Sequence, residues 1–533
     1  MTIPYVQDYS LTLNKFLEHA ARWRPEAGVI TARGNGETSR TGYGELLERS
    51  RSFSAGLLAL RIRPGDRVAT LAWNTQEHVE AWYGISGIGA VIHTLNPRLS
   101  VDTLGAMVRL AECRLLVVAA NLASIAVELV RIAPSIERII VIDDPVEVRD
   151  LAASVPVSLY ASVCLDEDVA WGDFDETSPA GLCFTSGTTG DPKGVVYTHR
   201  SSYLHTLRIL QADVIAPTAN DNILMVVPMF HANGWGLPFA APAVGASLVL
   251  PGRHLDGQSL SALISSANVT VAAAVPTVWL GLVDHLDKVG GELPSLKRII
   301  VGGAPISEQL MDRIERRIGA IVQTSWGMTE LTPLGAIAPA GLAKRDAASA
   351  GRIAVGVDLL LKDSEGRALP SQRNVEGRLH VRGQSVVQRY YGHSTPAVDA
   401  DGWFDTGDLA RIQSDGALHI TGRAKDLIKS GGEWINPAEI EAILSGLPEI
   451  ALAAVVGQSH EKWGERPVLL VEFREGQALD DNEVFAALKG KVASWWIPDK
   501  IIRMAAIPLA GTGKIDKLKL RRLYGAPMEG NKV

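Results

Sequence analysis

The residue types with the clearest chemical potential occur together in residues 185–194, which read Thr-Ser-Gly-Thr-Thr-Gly-Asp-Pro-Lys-Gly. This stretch has four hydroxyl side chains, three glycines and one lysine. Glycine lets backbone N–H groups approach an anion closely, the hydroxyls add donors, and Lys193 adds a positive charge. A plain turn does not need four hydroxyls, so the composition favours a polyphosphate site. The candidate phosphate contacts are Thr185, Ser186, Gly187, Thr188, Thr189, Gly190 and Lys193.

The loop does not match the two best-known phosphate motifs. A Walker A motif needs glycine immediately before its lysine, and this chain has Pro192 there. A Gly-x-Gly-x-x-Gly dinucleotide fingerprint is also missing from the sequence. The loop therefore indicates a phosphate site of a different kind.

Alternating strands and helices surround this loop, and such alternation predicts parallel sheets covered by helices. Asn35-Gly36 predicts a hairpin. Ligands of such sheets bind beyond the carboxyl ends of the strands, where several polar segments fall. Before the loop we predict helices at 11–24, 44–59, 77–88 and 102–112 and strands at 68–72, 90–95, 115–119 and 138–142; after it, strands at 224–227, 247–250, 271–275, 298–301 and 320–323.

Beyond residue 350 the segments become shorter and glycine-punctuated, which predicts a β-rich subdomain followed by a small α/β unit. In that unit Asn436 and Pro437 are typical of a helix N-terminus. The predicted fold class is α/β: a large N-terminal domain of two helix-covered sheets plus the β-rich subdomain, residues 1–424, and a small C-terminal α+β domain, residues 425–533. The segments are strands at 351–361, 377–383, 407–413, 418–421, 453–456 and 468–473 and a helix at 482–493.

Composition excludes several classes of function. The chain has 533 residues and a net charge of -7, which disfavours non-specific nucleic-acid binding. It lacks an apolar run near the ~20 residues of a membrane span, so we expect no integral membrane segment. Its three cysteines are widely spaced, which disfavours a zinc site or disulfide framework. We expect a cytoplasmic protein.

Several further motifs follow the loop in a fixed order. They are Trp326-Gly327-Met328-Thr329-Glu330, Thr406-Gly407-Asp408, Gly422-Arg423 and Gly511-Thr512-Gly513-Lys514. With the phosphate loop, this series resembles the adenylate-forming superfamily, and the bacterial fatty-acid–CoA ligase branch in particular. The resemblance implies an ATP-dependent ligase that converts a carboxylic acid and CoA to acyl-CoA, AMP and pyrophosphate through an acyl-adenylate. ATP, Mg²⁺ and CoA are the implied cofactors and substrates.

The same resemblance implies roles in the adenylation step. Lys514 is the implied catalytic lysine, and Thr329 and Glu330 are the implied contacts of the α-phosphate and Mg²⁺, with Glu330 as metal ligand. Asp408 and Arg423 are the implied ribose contacts. Trp326 stands where the family usually has tyrosine, and either ring could stack against adenine. Further implied nucleotide contacts are Gly302, Gly303, Ala304, Thr324, Ser325, Gly327 and Met328.

For the thiol step, the resemblance implies rotation of the small domain about Lys425, a position where many relatives have aspartate. Gly431 is the implied lining of the pantetheine tunnel, in a segment shared with Lys429, Gly432 and Glu433. In the acyl pocket, His231 has an implied catalytic role and forms a wall with the gate residue Trp235. Gly302 and Gly327 are the other implied pocket residues.

The sequence leaves the acid open. A medium- or long-chain fatty acid is favoured, and an aryl or hydroxycinnamate acid, feruloyl or coumaroyl, or methylthiopropionate is the alternative. A carrier-loading adenylation enzyme, a luciferase-like oxidative enzyme and an inactive nucleotide binder are the other classes considered. Presence of Lys193, Glu330, Asp408 and Lys514 argues against the inactive protein. Relatives suggest a homodimer.

Overall fold

The computed structural model describes residues 6–7, 9–34, 36–142, 154–185, 192–342, 345–511 and 513–525. Its strands are β1 (Gly28–Gly34), β2 (Glu37–Gly42), β3 (Arg67–Leu71), β4 (Val91–Thr94), β5 (Leu115–Ala119), β6 (Arg138–Ile142), β7 (Val157–Leu159), β8 (Pro179–Thr185), β9 (Lys193–Thr198), β10 (Asn222–Met225), β11 (Ser247–Leu250), β12 (Val271–Ala274), β13 (Arg298–Val301), β14 (Ile321–Gly327), β15 (Leu334–Ile337), β16 (Ser349–Ile353), β17 (Val357–Lys362), β18 (Glu376–Gly383), β19 (Phe404–Ile412), β20 (Ala417–Arg423), β21 (Ile428–Ser430), β22 (Glu433–Ile435), β23 (Ile450–His460), β24 (Gly464–Phe473) and β25 (Lys500–Arg503). Its α-helices are α1 (Asn14–Trp23), α2 (Tyr43–Ala59), α3 (Gln76–Gly87), α4 (Val101–Ala111), α5 (Ala123–Ile132), α6 (Tyr160–Val163), α7 (His199–Ile209), α8 (Leu237–Val244), α9 (Gly257–Ser266), α10 (Pro276–Val289), α11 (Glu308–Ile318), α12 (Pro437–Leu444), α13 (Asp481–Leu488) and α14 (Lys517–Tyr524).

A seven-stranded sheet has the order β7-β6-β5-β3-β4-β8-β9. Neighbouring strands are parallel except for β8 and β9, which are antiparallel. Thr185 ends β8 and pairs with Lys193, the first residue of β9. The predicted phosphate loop therefore joins two antiparallel strands, and its residues 186–191 lie outside the described residues.

A thirteen-stranded sheet has the order β17-β18-β19-β20-β16-β15-β14-β13-β12-β10-β11-β1-β2. Strand β14 joins the parallel part of this sheet to the antiparallel part. Residues 321–324 pair parallel with β13, and residues 325–327 pair antiparallel with β15. The predicted strand at 320–323 was thus too short, because β15 supplies hydrogen-bond partners that carry β14 to Gly327. The predicted strand 351–361 is instead two strands, which turn at Gly356 with φ +89°.

The β1–β2 hairpin at the sheet edge agrees with the predicted turn, although Asn35 itself lies outside the described residues. Among the described residues, no helix has the length and apolar character needed to cross a membrane.

The smaller unit contains five strands, in the order β22-β21-β24-β23, with β25 parallel to β24. Helix α12 begins as predicted: the side-chain oxygen of Asn436 accepts a hydrogen bond from the Ala438 N–H at 3.1 Å. The predicted helix 482–493 is wrong at its C-terminus, because α13 ends at Leu488 and Gly490 adopts φ +77°. The α/β fold, with a large multi-sheet part and a smaller C-terminal part, is confirmed.

Candidate active site

The turn after strand β14, the β19–β20 pair and the turn that carries Lys514 come together, because the charges of Glu330, Asp408 and Arg423 all act on Lys514. The Lys514 segment is a tight turn in which Leu509 bridges Ile515 and the Gly513 N–H donates to Ala510 O at 2.8 Å. Burial and the positive charge of Arg423 lower the pKa of Lys514, while the carboxylates of Asp408 and Glu330 oppose this effect. Four charged side chains far apart in sequence thus surround one space.

The carboxylate of Asp408 is held from two sides. Asp408 pairs with Arg423 across β19 and β20, and the Arg423 Nε lies 2.7 Å from Asp408 Oδ1. The indole Nε1–H of Trp326 donates to Asp408 Oδ2 at 2.9 Å. Burial raises the pKa of Asp408, whereas the Arg423 charge and the Trp326 hydrogen bond lower it.

Glu330 lies in the turn after β14, where Tyr390 contacts its side chain. The Tyr390 hydroxyl donates to Glu330 Oε1 at 2.9 Å, and the Lys193 Nζ lies 5.2 Å from the centroid of the Tyr390 ring. Burial raises the pKa of Glu330, and the Tyr390 hydrogen bond and the charges of Arg423 and Lys193 oppose it. Tyr390 therefore connects Lys193, at the edge of the phosphate loop, to the predicted metal ligand.

Sequence reasoning did not identify Tyr390 or Tyr197, whose hydroxyl donates to the backbone oxygen of Thr329 at 2.8 Å. The adjacent tyrosines at 390 and 391, in a segment without apolar periodicity, are a signal that was available.

The donor set around Glu330 fits Mg²⁺. No group of three or more His, Cys, Asp or Glu side chains suited to a metal ion occurs in the part of the chain that the structure describes. Mg²⁺ is typically held by one or two carboxylates together with substrate phosphates and water. The buried carboxylate of Glu330, on which the charge of Lys193 at the end of the predicted phosphate loop acts, fits that requirement.

The predicted acyl-pocket residues His231, Trp235 and Gly302 lie next to this cluster. Burial, together with the charge of Lys514, lowers the pKa of His231 to about 3, so the imidazole is neutral. Residues 232–236 all have left-handed φ values, and this turn carries the Trp235 side chain. A Cβ on Gly302 would lie 2.8 Å from Trp235 Cη2, so the absence of a side chain there admits the indole edge.

Close contacts also explain why two neighbouring positions, 303 and 327, are glycine. A Cβ on Gly303 would lie 3.4 Å from Lys514 Cε, which places the backbone of Gly303 beside the lysine stem. A Cβ on Gly327 would overlap the backbone oxygen of Pro333, at a register shift in β14. Ala304 follows β13, and Met328 packs against the core of the β-rich part.

Two predicted nucleotide contacts at the end of β14, Thr324 and Ser325, donate their hydroxyl hydrogens to backbone oxygens. Thr324 Oγ1 donates to Ser349 O at 2.6 Å, and Ser325 Oγ donates to Val301 O at 2.9 Å.

The contacts of the predicted thiol-tunnel segment are made within the smaller unit. Gly431 and Gly432 turn between β21 and β22 with φ +60° and +92°. A Cβ on Gly431 would lie 2.7 Å from Cε3 of Trp463, and the Gly431 N–H donates to Trp463 O at 2.8 Å. Lys429 Nζ lies 5.5 Å from the Trp434 ring, and Glu433 is exposed.

The predicted hinge residue Lys425 lies between β20 and β21, beside a cluster of ion pairs. Its neighbour Asp426 binds Arg521 at 2.6 Å and lies 3.9 Å from Lys517, so the segment is tied to α14. Desolvation lowers the pKa of Lys425 to about 8, and the charge of Arg423 contributes.

Several contacts join the Lys514 turn to the large N-terminal part. Arg98 Nη1 donates to the backbone oxygen of Gly511 at 3.0 Å. Gly513 faces Val275, whose Cγ2 lies 3.3 Å from the place of a Gly513 Cβ. These contacts hold the Lys514 turn against the large N-terminal part.

Two family models match most of this chain. The model "AMP-binding enzyme" matches residues 17–391, and "AMP-binding enzyme C-terminal domain" matches residues 439–514. This chain belongs to the AMP-binding enzyme family. A 3-methylmercaptopropionyl-CoA ligase of Ruegeria lacuscaerulensis is 38% identical, with 98% of each chain covered. A medium-chain-fatty-acid–CoA ligase of Ectopseudomonas oleovorans is 39% identical, over 97% of this chain and 96% of the relative.

The fold agrees with that assignment. The structure of the anthranilate CoA ligase AuaEII in complex with anthranoyl-AMP matches with a TM-score of 0.86, at 22% identity and 98% coverage of both chains. This AMP-binding enzyme is an ATP-dependent acid–thiol ligase of the acyl-CoA ligase family, and AMP-forming CoA ligases use ATP and CoA. The predicted family and enzyme class are confirmed.

Proposed function

We propose that this ligase activates a medium- or long-chain fatty acid. The observation that carries the site assignment is the half-buried Lys514 ammonium, which lies among Asp408, Glu330 and Arg423 and beside the predicted pocket residue His231. A cation in that place would face both the nucleotide and the acid. The domain division at 1–424 and 425–533, the cytoplasmic location and the homodimer remain part of the proposal.

In the first half-reaction a carboxylate oxygen attacks the α-phosphorus of ATP, and the bond to the β-phosphate oxygen breaks to release pyrophosphate. Lys514 offsets the negative charge shared by the carboxylate and the α-phosphate. Asp408 and Arg423 hold the ribose, and residues 185–193 hold the phosphates. Glu330 would hold Mg²⁺, which when bound offsets charge on the triphosphate.

In the second half-reaction the CoA thiol attacks the acyl carbon, and AMP leaves. A lysine that remained in the site would obstruct the thiol, so we propose that residues 425–533 rotate about Lys425 after adenylation. Gly431 would then line the thiol path. The exposure of Gly431 and its lack of a side chain support this assignment, because a bare backbone suits a narrow chain such as pantetheine.

The acid is proposed from the pocket and the relatives. Trp235 contacts Gly302 through its indole edge, so the ring closes one side of the pocket. An apolar alkyl chain suits an aromatic wall and a neutral imidazole. Methylthiopropionate is the second candidate, because the relative named for a methylmercaptopropionyl ligase is almost as similar as the medium-chain one.

Pyrophosphate release with ATP and Mg²⁺ tests the proposal directly. The acids are octanoate, palmitate, cinnamate, ferulate, benzoate and methylthiopropionate, each with and without CoA. We expect the largest kcat/KM with octanoate or palmitate, and repeated turnover only with CoA. A preference for methylthiopropionate or for the aromatic acids would overturn the fatty-acid proposal. Turnover that does not need CoA would overturn the proposed thiol step.

The role of Lys514 is tested by separating the half-reactions. Lys514→Ala is expected to abolish acyl-adenylate formation, because the charge at the α-phosphate is no longer offset. The same variant should form thioester from supplied acyl-adenylate at nearly the wild-type rate. Lys519→Ala, which alters an exposed lysine on α14, is the matched control and should leave both steps intact. Equal loss of both half-reactions in Lys514→Ala would contradict the assignment.

A further inference from the structure

We propose that Trp326 positions the nucleotide ribose by holding the carboxylate of Asp408 through its indole N–H. This inference rests on the proposed ribose role of Asp408. It assigns to Trp326 a function that an aromatic ring alone does not provide, because stacking on adenine requires a ring face and no donor.

The geometry of the contact supports a fixed hydrogen bond. Trp326 Nε1–H donates to Asp408 Oδ2 at 2.9 Å, and the two residues are 8% and 1% exposed. Water therefore has little access to compete for either partner. A hydrogen bond to an ionised acceptor is also stronger than a neutral one.

The indole is held in place by its surroundings. Trp326 lies on β14 opposite Ala336 of β15, and a Cβ on Gly335 would lie 2.5 Å from Trp326 Cζ3. The ring thus packs directly on the bare backbone of Gly335. These contacts set the direction in which the N–H points.

The two donors leave the Asp408 carboxylate able to accept hydrogen bonds from the two ribose hydroxyls. Arg423 Nε lies 2.7 Å from Oδ1, and Trp326 Nε1 lies 2.9 Å from Oδ2. Each carboxylate oxygen accepts about two hydrogen bonds, so each keeps one acceptor site for a hydroxyl. The Arg423 side chain is 41% exposed, whereas Trp326 is nearly fully buried, so the indole is the more rigid of the two supports.

The test compares ATP with 2′-deoxy-ATP and 3′-deoxy-ATP in the full-length enzyme. The readout is the ratio of kcat/KM for ATP to that for each analogue, in adenylate formation. Trp326→Phe keeps an aromatic ring and removes the donor. We expect this variant to lower the ratio about five- to tenfold for at least one analogue, as for loss of a charge-assisted hydrogen bond.

Trp279→Phe is the matched control. Trp279 is fully buried, and its indole Nε1 has no hydrogen-bond partner among the described residues. Its replacement removes a buried N–H without touching Asp408, so the ratio should stay at the wild-type value. Thermal unfolding of both variants establishes that each is folded at the assay temperature.

Three outcomes overturn the inference, and they are distinguishable. If Trp326→Phe slows ATP and both analogues equally, the ratio is preserved and Trp326 acts only through packing or stacking. If wild type and Asp408→Asn show the same ratio, the ribose role proposed for Asp408 fails, and the positioning role of Trp326 fails with it. A lowered ratio in Asp408→Asn but not in Trp326→Phe rejects Trp326 alone.

Discussion

Removal of the Tyr390 hydroxyl is the perturbation for which the structure predicts the clearest pH effect. Tyr390 donates to Glu330 Oε1 at 2.9 Å, and Glu330 is only 7% exposed. Burial raises the pKa of Glu330, and the Tyr390 hydrogen bond opposes that rise. Tyr390→Phe keeps the ring beside Lys193 and removes the opposing hydrogen bond, so the pKa of Glu330 rises further.

The size of the effect follows from the burial of the acceptor. A hydrogen bond to a charged group contributes about 1.5–3 kcal/mol. Since 1.36 kcal/mol is a factor of ten, its loss shifts the ionisation equilibrium of Glu330 about ten- to hundredfold toward the neutral acid. The proposed metal role needs the carboxylate, so activity is lost as pH falls through the pKa of Glu330. The acid limb of the variant therefore lies at higher pH than that of wild type.

The assay is the pH profile of kcat/KM for MgATP, measured by pyrophosphate release. Tyr391→Phe is the matched control, because Tyr391 contacts Gly194 through its backbone N–H at 2.7 Å. An acid limb that stays at the wild-type pH in Tyr390→Phe refutes the reasoning. So does an equal displacement in both variants, since the hydroxyl of Tyr390 would then have no special role.

Two further variants test the pocket and the docked lysine turn. Gly302→Ala places its methyl group in overlap with Ser325 Oγ and 2.8 Å from Trp235 Cη2, so we expect the KM for fatty acids to rise about tenfold or more, as for an overpacking cost of about 1–3 kcal/mol. An unchanged KM for fatty acids would argue against the pocket wall. Arg98→Ala removes the 3.0 Å hydrogen bond to Gly511 O at an exposed position, so adenylation should slow about threefold while thioester formation from supplied acyl-adenylate is unchanged. Slowing of the thioester step alone would contradict this docking role.

Local signals were sufficient for much of the fold. The N-cap at Asn436, the hairpin at β1–β2 and the alternation of strand and helix depend on residues close together in sequence, and the structure confirms them. The predicted ends of strands were less accurate where the pairing strand is distant in sequence. Strand β14 runs on to Gly327 because β15 pairs with it, and no local property of residues 324–327 indicates that partner.

The sequence by itself determined the family and the order of the motifs, and it predicts the phosphate loop, because glycine spacing, hydroxyl content and motif order are properties of the linear chain. Only the tertiary structure decided that Trp326 donates to Asp408 and that Tyr390 donates to Glu330. These partners are 82 and 60 residues apart and meet through sheet pairing and loop packing, which bring distant groups together in a buried space where their charges interact strongly.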